Sequence, residues 1–235
     1  MGLALVVAAF GVAVFTFYGI LGLVRKKPQT VPAVPDDQTE GPPKPPEGTG
    51  VPHIKLLWWA YIASDCMLFG SLIAGYLVYK GRSLTGPWPL DVFDFQTTTI
   101  STFILLTSSL TMVLQLAAIQ RGDLGKFRLW NVATILCGLV FLGYQVFEFS
   151  TFIEEGLTMQ TNLFGASFYL LTGFHGVHVA VGVLWMILLL VHSFWGGVTK
   201  KKAVHVEVAG LYWHFVDVVW IVIFSVVYLM EMPGS

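Results

Sequence analysis

VEVAGLYWHFVDVVWIVIFSVVYLME, residues 206–231, is 26 residues long and carries four ionisable groups besides its tyrosines: Glu207, His214, Asp217 and Glu231. About 20 predominantly apolar residues suffice to cross a bilayer as a helix, so this run is long enough to span one. Glu207, Gly210, His214, Asp217 and Ile221 follow a 3-4-3-4 spacing, which places three ionisable groups on one helical face. Working back along the chain, five more apolar runs of spanning length appear, at 3–24, 55–79, 97–120, 129–153 and 164–195. The reading is therefore an all-α integral membrane protein with six spans.

Composition agrees. Of 235 residues, 55% are hydrophobic and only 11% charged, against about 25% charged in an average soluble domain. So few ionic side chains cannot cover a globular surface, which excludes a water-soluble monomer. The 13 Lys and Arg against 14 Asp and Glu leave a net charge of −1 and no basic face for phosphates, so no nucleic acid is expected as a partner. Cys66 and Cys137 both lie in apolar runs, with neither a disulfide framework nor zinc spacing.

Between the first two spans lies QTVPAVPDDQTEGPPKPPEGTGVP, rich in proline, glycine and acidic residues, which reads as a tether. The expected organisation is an N-terminal transmembrane anchor (1–27), a Pro-rich cytoplasmic linker (28–53) and a five-helix body (54–235). Met1–Phe10 carries no positive charge, and Arg25, Lys26 and Lys27 follow the apolar run, so the first span reads as a retained anchor rather than a signal peptide. Cytoplasmic loops hold the excess of Lys and Arg. With the N-terminus outside, eleven of the thirteen fall inside, and only Lys80 and Arg82 fall outside. Both termini are therefore expected on the outer side.

Ionisable groups at depth need partners or water. Asp65 lies ten residues into its span, about 15 Å deep, and is either the neutral partner of another helix or a proton-handling group. His175 and His178 form an i, i+3 pair flanked by Gly173 and Gly176. That pair can bind a metal or a haem, or it can hydrogen-bond to acids on adjacent helices and join the bundle. The hydroxyls of the third span, from Thr97 to Thr111, read as packing contacts, with a proton wire as the alternative. Trp58, Trp59, Trp88, Trp130, Trp195 and Tyr228 fall near span ends, as interfacial aromatics do, whereas Trp213 and Trp220 are expected to pack against helices or lipid tails.

TGFHGVHV at 172–179 and GLYWHFVDVVWIVIFSVVYLMEM at 210–232 resemble subunit III of haem-copper respiratory oxidases. ASDCMLFGSLIAGYL at 63–77 and ISTFILLTSSLTM at 100–112 are similar to the two helices that open that subunit's core. The resemblance covers about residues 54–232. It implies a five-helix, V-shaped bundle with phospholipid in its cleft, docked beside subunits I and II, which hold the haem and copper. It also implies a bacterial inner-membrane location and no catalytic residue, metal site or cofactor in this chain. Asp65 matches the family's acidic position by the lipid cleft and proton-entry side. Glu148, His175, His178, Glu207, His214 and Asp217 match an intramembrane polar network that supports the bundle. Two departures stand out: one N-terminal helix where longer members carry two, and features of both donor branches. SDC around Asp65 is similar to quinol oxidases, and Glu207 with YWHFVDVVW to cytochrome c oxidases. The function implied is an accessory subunit that stabilises the catalytic subunit, holds lipid and sustains proton uptake, with cytochrome c as donor. The alternatives are subunit III of a quinol oxidase, an accessory subunit of a nitric-oxide reductase, and a stand-alone haem protein or proton transporter.

Overall fold

The computed structural model describes residues 53–83, 86–87 and 93–231; the proposed N-terminal anchor and nearly all of the linker lie outside them. The chain divides into two units, Met1–Leu56 and Leu57–Ser235. The described residues are helical, without a strand, and five helices are long and apolar enough to cross a membrane. They are α1 (His53–Tyr79), α2 (Phe95–Arg121), α3 (Leu124–Glu154), α4 (Leu163–Phe194) and α5 (Ala203–Ile223). A π turn, Phe224–Tyr228, and a 3₁₀ turn, Leu229–Glu231, continue α5.

The helices run a few residues past the apolar stretches because their ends are set by caps rather than by hydropathy. Asp94 caps α2 by accepting from the backbone N–H of Gln96 (3.1 Å) and Thr97 (3.4 Å). Asp123 caps α3 by accepting from Lys126 N–H at 3.0 Å, and Asn162 caps α4 by accepting from Gly165 N–H at 2.7 Å. Such side chains supply the acceptors that the first turn of a helix lacks. Gly122, at φ 85°, ends α2 in the left-handed region that glycine adopts without a Cβ penalty, and a two-residue link leads into α3.

The Thr97 side chain also donates to the Asp94 carboxylate, and this bond holds the Asp94 pKa below the ordinary aspartate value. The cap is thus at full strength above about pH 4 and fades as pH falls through the lower folded value. Asp94→Ala is expected to cost about 1 kcal/mol. The check is a lower melting temperature at pH 7 that converges on the wild type in acid.

Trp213 of α5 forms the centre of packing among α2, α3, α4 and α5. It is fully buried, and its indole N–H donates to Ser108 Oγ of α2 at 2.8 Å. Its ring approaches so closely that a Cβ added at Gly138 of α3 or Gly182 of α4 would lie 2.9 and 2.7 Å from it. Between apolar helices in lipid, association depends on such close van der Waals approach rather than on hydrophobic transfer. Trp220, one face-repeat later, donates to Thr102 Oγ1 at 2.9 Å. Both tryptophans therefore pack inside the bundle, and neither faces lipid tails.

The hydroxyls of α2 explain this arrangement. Thr99, Thr102 and Thr107 bond back to carbonyls one turn earlier. Ser108 and Thr102 also accept from the two indoles, and Thr111 meets Thr134 of α3 at 2.8 Å. Thr102, Ser108 and Thr111 thus act as contacts between helices.

Helix α1 is attached differently. Its buried residues, Ile62, Asp65, Phe69 and Tyr76, form one narrow stripe, while Met67 is 78% exposed. Rings make the attachment: Trp58 to Trp185 of α4 (4.8 Å), Phe69 to Phe215 of α5 (6.3 Å) and Tyr76 to Phe164 of α4 (6.3 Å).

Candidate functional site: three polar clusters within the helix bundle

The acidic and histidine side chains separate into three clusters. The first joins α1 to α4. His178 Nδ1 lies 2.7 Å from the carbonyl of Phe174, so that nitrogen carries a proton and donates it. Its Nε2 then faces Asp65 Oδ2 at 3.6 Å. With Nδ1 committed, a neutral imidazole presents a lone pair to the carboxylate. Phe69 packs edge-on against the His178 ring at 4.9 Å, and Tyr212 donates to the His178 carbonyl at 2.9 Å. Asp65 itself is only 7% exposed.

His175 points elsewhere. Three residues leave the two side chains about 60° apart around the helix, and the His175 ring is fully buried against α5, its Nε2 3.2 Å from the Val216 carbonyl. It lies against Trp220 (4.8 Å) and Phe141 (5.6 Å). Of the partners expected for the histidine pair, His178 has an acid on an adjacent helix, whereas His175 has a backbone carbonyl. The two rings diverge, and among the described residues no group of three or more His, Cys, Asp or Glu is placed to hold a metal ion.

The second cluster lies near the opposite end from the basic loops. Glu148 of α3 accepts from Thr98 Oγ1 of α2 at 2.6 Å and from the Tyr228 hydroxyl at 3.3 Å. Tyr228 closes the π turn, a local widening that re-aims side chains and is common at functional sites. Phe93 covers the Tyr228 ring at 4.6 Å. Sequence reading placed Tyr228 among interfacial aromatics. It is 2% exposed and belongs to this cluster, and only the π turn reveals it. Gln145, one turn before Glu148, also escaped notice. Its Nε2 donates to the Thr172 carbonyl at 2.7 Å across the contact where Gly176 admits it.

The third cluster is centred on α5. Ser109 Oγ of α2 lies 2.6 Å from His214 Nδ1, and Asp217 is buried one turn further along. The 3-4-3-4 face of α5 thus straddles a boundary. Gly210 and Asp217 point inward, His214 is half-buried and Ile221 is exposed. Glu207 is partly buried.

Residues 53–232 match the family described as Cytochrome c oxidase subunit III. The chain belongs to that family. It is similar to cytochrome c oxidase subunit 3 of Bacillus sp. (strain PS3), with 41% identity over 177 residues, 75% of this chain and 86% of the relative. Cytochrome c oxidase subunit 3 of Alkalihalophilus pseudofirmus is 38% identical over 201 residues, 84% of this chain and 98% of the relative. Quinol oxidase subunit 3 of Bacillus subtilis (strain 168) is 36% identical over 177 residues, covering 75% and 87%. Subunit III relatives thus occur in both donor branches. Five spanning-length helices and bacterial relatives of this kind make it a multi-pass bacterial membrane protein and a haem-copper oxidase subunit III.

Proposed function

We propose that this chain is the non-catalytic subunit III of an aerobic terminal oxidase that takes electrons from cytochrome c. In that role it stabilises the catalytic subunit, holds phospholipid and sustains proton uptake during oxygen reduction. Subunits I and II are its partners and hold the haem and copper. The Asp65–His178 pair is the observation that supports a proton-handling role. A buried carboxyl stands 3.6 Å from an imidazole nitrogen whose ring partner is already committed to a backbone carbonyl, and it is this juxtaposition of two proton-exchanging groups that the reading uses. Glu148, His175, Glu207, His214 and Asp217 hold the bundle around it. The identity to cytochrome c oxidase relatives, up to 41%, against 38% and 36% for the quinol branch, favours that donor. The quinol-oxidising alternative rests on the latter relatives and on the Ser64-Asp65-Cys66 sequence.

The test is purification of the intact complex through a tag on this chain in a gentle detergent, followed by mass spectrometry and a reduced-minus-oxidised spectrum. Copper, haem and the two large partner subunits are expected to co-purify, with oxidation of reduced cytochrome c. Oxidation of quinol instead moves the assignment to the other branch. A chain recovered alone and colourless overturns it.

A further inference from the structure

Two fully buried amides, Gln115 of α2 and Asn131 of α3, stand outside the three clusters. Trp213 shows which way they face. Its ring and indole N–H meet Ser108 of α2 and the backbone surfaces of Gly138 of α3 and Gly182 of α4. Seven residues make close to two helical turns, so Gln115 lies on the same face as Ser108, and Asn131 on the same face as Gly138. The Thr111–Thr134 contact between these antiparallel helices keeps the two amides level with one another, towards the α2–α3 link. Met186, one turn after Gly182, forms the α4 wall of the same level, and its thioether accepts from Gln115 Nε2 at 3.9 Å. Gln115 Oε1 and both polar atoms of Asn131, Oδ1 and Nδ2, have no hydrogen-bond partner among the described residues. Exchanging nitrogen and oxygen within either amide leaves the deficit in place. Buried amides are otherwise almost always bonded, because an unmet one loses its solvent without replacement.

We propose that Gln115 and Asn131 form an internal hydration site between α2, α3 and α4 that binds an ordered water molecule. The unmet set selects the ligand. It consists of two acceptors, Gln115 Oε1 and Asn131 Oδ1, and one donor group, Asn131 Nδ2. A water molecule donates two hydrogen bonds and accepts from the third atom, and about three bonds is the usual number for a buried water. A cation suits the two oxygens but faces the Nδ2 hydrogens, and an anion suits Nδ2 but faces two oxygens. A direct bond between the amides satisfies one of the two oxygens and leaves the other, as long as Gln115 Nε2 stays on Met186. The water thus links α2 to α3 one turn from the Thr111–Thr134 contact, inside the apolar layer. Gln115 stands six residues before Arg121, and Asn131 seven after Leu124, so the site lies about 10 Å in from the helix ends. It involves helices of this chain alone, so it stands or falls independently of the donor and partner assignments.

The experiment uses the full chain in its purified complex. Radiolysis by a synchrotron beam generates hydroxyl radicals from bound water in place, and these mark the nearest reactive side chain. Met186 is expected to form its sulfoxide severalfold faster than Met112, an equally buried methionine of α2 that faces Gly210. Equal rates at the two methionines overturn the proposal. A cryo-electron microscopy map that resolves ordered solvent is expected to show a peak within hydrogen-bond distance of both amides. A map in which the amides bond directly to each other, with no peak between them, also overturns it. Asn131→Leu removes two of the three unmet atoms and is expected to bring the Met186 rate down to that of Met112. An excess that persists in this variant shows that the amide holds no water. The rate comparison and the map are made on the wild-type chain, so they decide the matter even where the leucine variant folds poorly.

Discussion

Trp213→Ala is expected to destabilise the bundle by roughly 3–5 kcal/mol, the cost of truncating a large buried aromatic residue. In the purified complex this reads as a marked fall in the temperature at which the subunit unfolds or dissociates. The size follows from where the ring sits. It fills the space between α2, α3 and α4 against glycine surfaces at 138 and 182, and neither glycine has a side chain that can swing in to occupy the cavity. Lipid cannot refill a site this enclosed. The substitution also leaves Ser108 Oγ without its indole donor. Trp213→Phe separates the two effects. It retains most of the ring contacts and loses the hydrogen bond, so it is expected to cost about 1 kcal/mol for the bond plus the packing of the lost second ring. A Trp213→Ala variant as stable as the wild type would show that the four helices are not held together at this point.

Substitution at Asp65 is expected to have the largest functional effect. Asp65→Asn places an amide beside His178 Nε2; it can still donate a hydrogen bond there but can no longer exchange a proton. Asp65→Ala removes both. If the pair passes protons, the two variants slow proton uptake by the oxidase, or shorten its working lifetime, severalfold and to a similar extent, with the haem spectrum unchanged. If the pair serves only to attach α1, asparagine behaves as the wild type and alanine alone is impaired. His178→Leu leaves the buried carboxyl facing a hydrocarbon side chain and is expected to cost about 1–3 kcal/mol of stability. Turnover and lifetime at wild-type levels in both Asp65 variants would end the proton-handling reading. Loss of haem from them would instead point to a role in assembling the catalytic subunit.

Much of the fold is legible in the residues alone, because the bilayer imposes a length and a polarity that no short-range detail can override. Five of the six apolar runs coincide with the five described helices to within a few residues. The differences arise at capping residues such as Asp94 and Asp123, whose effect is local hydrogen bonding rather than hydropathy. The motifs around His175, His178, His214 and Asp217 identified the family for a related reason: polar groups in lipid are costly, so their pattern is specific.

What the linear pattern left open was which polar group meets which. Spacing put His175 and His178 on neighbouring positions of one helix and allowed a shared metal or shared acids. In the folded chain α5 and α1 pack on either side of that face, so the roughly 60° between the two rings takes one to a carbonyl of α5 and the other to Asp65 of α1. Tyr228 read as an interfacial aromatic until the π turn carried it onto Glu148. His214 and Asp217 read as one face until packing against Ser109 buried one and left the other at the surface. The sequence alone located the five described helices of spanning length, because burial of backbone polar groups in lipid depends on composition over 20 residues or so. Only the tertiary structure decided the partners, because a hydrogen bond is made or lost within an ångström and depends on how each helix is rotated about its axis by all the others.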